Sequence, residues 1–148
     1  MIRTETEYRD AQERLRNDRS VMHMQREELT KLGLSAAEVG HAMQPSISFH
    51  EQLCEEVEAY ERLLRGDKTV VENLVGIGQL LICLRIAARI SQTELARRLD
   101  CSPSQASRDE RNDYHGITLE RAQRVLDAIG GRVRLEANVD DESLAAVG

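Results

Sequence analysis

The chain has 148 residues, of which 31% are charged and 41% hydrophobic, and its net charge is −6. This balance is typical of a helix-rich globular protein and argues against a disordered chain. No apolar run approaches the roughly 20 residues of a membrane span, and we expect no signal peptide. The three cysteines include no CxxC pair, which indicates reduced thiols in a cytoplasmic protein rather than a disulfide framework or zinc ribbon.

The charge is unevenly distributed along the chain. Residues 75–134 carry ten arginines, no lysine and seven acidic side chains, whereas the segments on either side are net acidic. Attraction of a polyanion depends on the local field rather than on the total charge. The overall acidity therefore does not exclude a nucleic-acid partner for this segment.

Residues 4–31 are polar, with apolar positions too sparse for a self-sufficient core, which predicts one long helix or two. A break is expected from Leu32 to Pro45, inside which Ser35 and Glu38 cap a short helix.

Ser48 and Glu51 form a second capping box, so the next helix is predicted to begin there. Its apolar stripe has helical spacing, and Gly66 ends it; the stripe is Leu53, Val57, Tyr60 and Leu64. Residues 1–66 are therefore predicted to form an N-terminal helical hairpin, followed by a linker at 67–73. The hairpin either packs only on itself or serves dimerisation or partner binding.

Residues 74–131 have the pattern of a helical bundle. A first helix has a stripe from Ile77 to Ala88, and a fourth runs from Thr118 to the glycines at 130–131. Between them, Ser91 and Ser102 are both good N-caps, and Pro103 suits the first helical position. The turn between these two helices is short enough to force a steep crossing, which is helix-turn-helix geometry.

Residues 132–139 alternate polar and apolar side chains and predict a half-exposed strand. A lone strand needs a partner, so pairing with a second copy in a homodimer is expected. Residues 140–148 are predicted to be a frayed acidic tail. The fold class is thus mainly α: a helical hairpin, a four- to five-helix bundle and a short C-terminal strand.

The stretch from Ser91 to Glu110 resembles the Cro/C1 (XRE) family of helix-turn-helix transcriptional regulators. The resemblance rests on Gln92, Glu94-Leu95-Ala96, Leu99, Ser102, Ser107-Arg108 and Glu110. It implies a dimer that binds palindromic operators in double-stranded DNA. Two positions depart from the family pattern: Pro103 replaces a polar residue, and Asp100 replaces a turn glycine, which requires left-handed backbone at Asp100 or a different turn.

A further resemblance covers Arg108–Tyr114 and the charged helix Glu56–Gly66, which are similar to HigA-like antitoxin regulators with a helical hairpin before the helix-turn-helix. This implies a toxin protein as partner and repression of the operon that encodes both proteins.

The third helix of the bundle would enter the major groove by its N-terminal half. Predicted base-reading residues are Ser104, Gln105 and Arg108; predicted phosphate contacts are Gln92, Ser107, Arg111, Asn112 and His115. Arg108 is the first choice because a guanidinium donates two hydrogen bonds to guanine. The alternatives are that Arg108 contacts phosphate or pairs with Asp109 or Glu110, and that Gln105 only caps the helix.

No nucleophile motif or phosphate loop is present in the sequence, and we expect neither enzymatic activity nor a cofactor. His50, Cys54 and Glu58 share a helical face, but a structural zinc site needs four ligands, so no metal is expected. The sequence thus predicts an autoregulatory DNA-binding repressor, and the resemblance to HigA-like regulators implies that it is the antitoxin of a toxin–antitoxin pair. The alternative is an interaction module whose N-terminal helices bind a partner while the helix-turn-helix is a scaffold.

Overall fold

A computed structural model describes residues 1–138 and shows six α-helices in that range. They are α1 (Glu5–Lys31), α2 (Ala36–Arg65), α3 (Ile77–Ala87), α4 (Gln92–Arg98), α5 (Pro103–Arg111) and α6 (Leu119–Ile129). A short 3-10 turn, Leu74–Gly76, precedes α3.

Helices α1 and α2 form an antiparallel hairpin. Thr4 and Glu7 make a full capping box at the start of α1, and Ser35 and Glu38 make another at the start of α2. Near the open end, the rings of Tyr8 and Tyr60 stack at 4.9 Å between centroids. The predicted cap at Ser35 is confirmed.

The predicted break from Leu32 to Pro45 is too long, and the predicted helix start at Ser48 is wrong. Helix α2 is continuous from Ala36 and contains Pro45 and Ser48 in its interior. Inside a helix, a proline removes one main-chain hydrogen bond and its ring crowds the carbonyl four residues earlier, which is a cost that packing can offset. Val39 and Met43 are buried just before it, so their packing keeps this part of the chain helical.

Helices α3 to α6 form the predicted bundle. Ser91, Ser102 and Thr118 each accept a hydrogen bond from the amide three residues later, so these three predicted helix starts are confirmed. Asp100 has φ +54°, which shows that it takes the left-handed conformation in place of glycine. The two helices on either side of it can therefore cross after a very short turn.

The core of the bundle continues into the open end of the hairpin. Ile2, Val57 and Tyr60 belong to the same buried cluster as Ile82 and Val125. The N-terminal residues and α2 are therefore packed against the bundle rather than separated from it, and α1 packs on α2.

The predicted strand at 132–139 is not supported. Residues 132–138 form no strand, and the described part of the chain offers no strand to pair with them. An unpaired strand leaves its main-chain donors and acceptors without partners. Instead, Arg132–Ala137 line a groove of about 540 Å³ together with Thr69–Leu74 and the side of α3. Val139 and the predicted tail at 140–148 lie outside the described residues.

Among residues 1–138, no single helix has the length and apolar composition needed to cross a membrane. The 3-10 turn with α3 and the following α4 together have the length and apolar composition of a span, but the two segments are bent by 106° relative to each other.

Candidate DNA-binding interface

Helix α5 has one buried and one open face. Ala106 is 2% exposed and Glu110 is fully buried, and these two residues fix the helix against the bundle. Ser102 caps its first turn, and Pro103 occupies a position where the helix needs no amide donor. The opposite face of α5 is consequently presented outward.

The outward face of α5 and the start of α4 border one shallow depression of about 470 Å³. Its lining contains two arginines and no acidic side chain: Gln92, Thr93, Pro103, Ser104, Ser107, Arg108 and Arg111. Five of the residues predicted from sequence therefore come together here. Gln105, Asn112 and His115 are not part of this lining.

Gln105 is engaged by its neighbours. Its Nε2 donates a hydrogen bond to Oδ1 of Asp109 at 2.6 Å, and Nη2 of Arg108 donates to Oε1 of Gln105 at 3.2 Å. Arg108 thus contacts Gln105 rather than Asp109 or Glu110, the two partners considered in the alternative prediction. The second oxygen of Asp109 accepts from Nη2 of Arg121 in α6 at 2.6 Å.

Asn112 and His115 lie just after α5. The main-chain amide of Asn112 donates to the carbonyl of Arg108 and ends the helix. Both side chains are exposed. They are not among the residues that line the depression, and they lie on the segment between α5 and α6.

A buried ion pair under α5 was missed by sequence reasoning. Arg85 of α3 is 3% exposed, and its Nε and Nη2 both contact the carboxylate of Glu110, the latter at 2.7 Å. Gln92 donates through Nε2 to the same carboxylate at 2.8 Å. Two features of the sequence could have indicated this pair. Arg85 lies on an otherwise apolar helix, and Glu110 follows the buried Ala106 by four residues.

The N-terminal segment also reaches α5. Arg3 donates to the main-chain oxygen of Glu110 and, through Nη2, to Oδ1 of Asp113 at 2.7 Å. The carbonyl of Arg3 in turn accepts from Nη2 of Arg85 at 2.9 Å. The last turn of α5 is therefore tied to the segment that precedes α1.

The two basic side chains on α4, Arg97 and Arg98, both contact the single carboxylate of Glu94. Hydrogen bonds from Arg97 and Arg98 lower the pKa of Glu94 to about 2, so this carboxylate stays charged between them. Arg97 is paired in this way, whereas Arg108 and Arg111 have no carboxylate partner within the described residues. The arginines of the α4–α5 unit that contact no carboxylate among residues 1–138, Arg108 and Arg111, line the depression on the outward face of α5.

Two capped helices crossing at a short turn, with the second presenting serine and arginine outward, define a helical DNA-binding domain. The helix-turn-helix family model matches residues 84–135, about a third of the chain. This part of the chain is a helix-turn-helix domain of the Cro/C1 (XRE) type, as the resemblance implied. Domains of this type indicate a DNA-binding regulator. No curated protein and no solved structure matches the chain.

Within residues 1–138, no group of three or more histidine, cysteine, aspartate or glutamate side chains is arranged to hold a metal ion. On the α2 face suggested by spacing, Cys54 is exposed and Glu58 contacts Arg62.

Proposed function

We propose that this protein is a sequence-specific repressor that controls its own operon. The observation that supports this most is the depression on the outer face of α5, which has two arginines and no acidic lining residue. Phosphate contacts require positive charge and polar hydrogen-bond donors, and base reading requires side chains that reach into the major groove. This face offers both.

The position of each side chain on α4 and α5 determines its proposed role. Ser104 and Arg108 lie in the N-terminal two-thirds of α5 and would face base edges. Phosphate contacts are assigned to Gln92, Ser107, Arg111, Asn112 and His115. Gln92 holds Glu110 through one hydrogen of Nε2, so the second hydrogen of Nε2 and the main-chain amide at the start of α4 are the donors left for a phosphate.

We further infer that the protein acts as a homodimer on a palindromic operator. A single recognition helix covers only a few base pairs, and dimers of such domains bind half-sites about 10 base pairs apart. Two copies of one chain then read two copies of one half-site.

The test is binding of the full chain to a fluorescent duplex taken from immediately upstream of its own gene, measured by anisotropy. Arg108→Ala should weaken binding to this duplex and not to a scrambled one. Arg124→Ala removes the same charge from an exposed position on α6 and is the matched control.

Preferential, salt-sensitive binding that disappears in Arg108→Ala and is kept in Arg124→Ala would support the proposal. Equal binding of the native and scrambled duplexes would contradict autoregulation. Repression itself is measured with a reporter behind the upstream region, whose expression should fall when the protein is supplied.

The role of an antitoxin is the more specific form of this proposal, with a toxin protein as the partner of the hairpin. It is supported by apolar side chains left open near the far end of the hairpin: Val21 and Met24 are 52% and 61% exposed. They border a depression of about 510 Å³ that also includes Leu29, Ala42 and Met43.

The same apolar surface supports the second candidate function, an interaction module with the bundle as scaffold. Met24→Glu should abolish co-purification with the product of the adjacent gene and leave DNA binding intact. Loss of the complex together with unchanged repression would favour the antitoxin. A complex without any DNA preference would favour the scaffold function.

A further inference from the structure

Arg108 belongs to a chain of four side chains that begins on another helix. Arg121 of α6 contacts Oδ2 of Asp109 at 2.6 Å, and Oδ1 of Asp109 accepts from Nε2 of Gln105 at 2.6 Å. Oε1 of Gln105 then accepts from Arg108 at 3.2 Å. The side chains of Asp109 and Arg121 are 21% and 45% exposed, so this chain runs along the rim of the interface.

The donor and acceptor chemistry gives this chain a single direction. A carboxylate only accepts hydrogen bonds and a guanidinium only donates them. The amide nitrogen of Gln105 must therefore face Asp109, and its oxygen must face Arg108. Asp109 is itself held by Arg121, so the orientation of the Gln105 amide is determined from outside α5.

This orientation changes what each side chain can do at a base edge. Glutamine recognises adenine by using its amide oxygen and nitrogen together. Both ends of the Gln105 amide are already engaged. Arg108 uses only one of its N–H groups on Gln105, which leaves the others for the O6 and N7 atoms of guanine.

We propose that Asp109 and Arg121 are positioning residues for Arg108, and that Gln105 supports Arg108 instead of reading a base. This inference rests on the proposed function, since it takes α5 to be the base-reading helix. Its consequence for specificity is a guanine opposite Arg108 and no adenine assigned to Gln105. The acidic Asp109 is then tolerated near DNA because Arg121 neutralises it.

The experiment starts from a duplex library with a randomised core, from which the wild-type full chain enriches its preferred sequence. The guanine read by Arg108 is the position at which base replacement no longer matters in Arg108→Ala. Anisotropy then gives the loss of affinity when this guanine is replaced by 7-deazaguanine, which lacks the N7 acceptor. Thermal unfolding of each variant is measured alongside.

The wild type should lose about tenfold or more in affinity on this replacement, within the range of a bidentate arginine–guanine contact. Asp109→Ala, Arg121→Ala and Gln105→Ala should each reduce this loss to about threefold or less. In an Arg108→Ala background, Asp109→Ala should add no further change, because the two residues act through one contact.

Asp127→Ala is the matched control. Gln123 donates to Asp127 on α6 at 2.8 Å, with the same four-residue spacing as Gln105 and Asp109. This variant removes the same charge and the same kind of intrahelical bond without touching Arg108. It should retain the wild-type loss on 7-deazaguanine.

Unchanged guanine discrimination in Asp109→Ala and Gln105→Ala would overturn the inference and leave the proposed function standing. Loss of preference at an adenine in Gln105→Ala, with guanine discrimination intact, would also overturn it and make Gln105 a base-reading residue. Failure of the wild type to enrich any sequence would overturn the proposed function, and this inference with it.

Discussion

At the scale of single residues, the buried ion pair of Arg85 and Glu110 holds α5 against the bundle. Glu110 is fully buried and contacts Arg85, Gln92 and, through its main chain, Arg3. Its removal leaves a guanidinium in the core without its counter-charge, which is among the costliest single changes in a protein interior.

Glu110→Ala is therefore expected to lower the free energy of unfolding by about 3–5 kcal/mol, measured by urea titration. A double variant, Arg85→Met with Glu110→Leu, should recover most of the loss, because both charges are then gone. Glu94→Ala, which also removes a doubly paired carboxylate but at the surface, should have a much smaller effect. An equal loss in both alanine variants would refute this account.

Titration of Tyr114 makes the stability of the protein depend on pH in the alkaline range. Burial raises the pKa of its hydroxyl above the usual 10, and the charge of Glu110 adds to the effect. The folded state holds this proton more tightly than the unfolded state. The contribution of Tyr114 to stability is therefore fully present below pH 10 and is lost as pH rises above it.

Tyr114→Phe keeps the ring and removes the titration. Between about pH 8 and about pH 11, the stability of the variant relative to wild type should rise by about 1.4 kcal/mol, one pKa unit of linkage. Urea unfolding at several pH values measures this difference, and the other tyrosines cancel in it. A difference that stays constant with pH would show that Tyr114 titrates alike in both states.

At the scale of helices, two glycines in helix interiors have opposite roles. A Cβ on Gly78 of α3 would collide with the carbonyl of Asp113 and come within 3.1 Å of Cβ of Tyr114. A Cβ on Gly40 of α2 would meet nothing within 4 Å. The first glycine permits the close approach of α3 to the segment after α5, whereas the second only weakens its helix.

Gly78→Ala should thus destabilise the protein by about 1–3 kcal/mol through overpacking. Gly40→Ala should stabilise it by about 0.5–1 kcal/mol, because alanine restricts the unfolded chain and favours the helix. Paired thermal and urea unfolding of the two variants checks both signs. A stabilised Gly78→Ala would mean that α3 and the Asp113 turn are not in close contact.

The helix boundaries show which signals are local in sequence. The caps at Ser35, Ser91, Ser102 and Thr118 depend on a side chain and an amide three residues away, so the sequence alone predicts them. The false boundary at Pro45 arose because a local breaker was overruled by packing of neighbouring side chains on α1, which no window of α2 contains.

The candidate site divides in the same way. Helical periodicity around Ala106 predicts which α5 side chains face outward, and Ser104, Ser107, Arg108 and Arg111 do line one depression. The state of Gln105 depends on Arg121 of another helix, and the ion pair under α5 joins residues 25 positions apart. These contacts exist only after the helices have packed.

At the scale of the whole molecule, the hairpin and the bundle share one core but differ in charge. Ile2 and Tyr60 are packed with Ile82, yet the ten arginines of residues 75–134 contrast with an acidic hairpin. A chain of net charge −6 can bind DNA in this way only if its basic face is turned toward the phosphates and its hairpin away from them. The salt dependence of binding reports how many phosphates that face neutralises.

Arg111 is exposed on α5 and has no carboxylate partner in the described part of the chain, whereas Arg97 on α4 is paired with Glu94. Arg111→Ala should weaken binding uniformly across duplex sequences and reduce the slope of log affinity against log salt by about 1 for each phosphate that Arg111 neutralises. Arg97→Ala, an equal loss of charge from a position that is already paired with Glu94, should leave the slope nearly unchanged. Anisotropy titrations at four salt concentrations separate the two variants. If both slopes change equally, the basic face extends over α4 and is not confined to the outward side of α5.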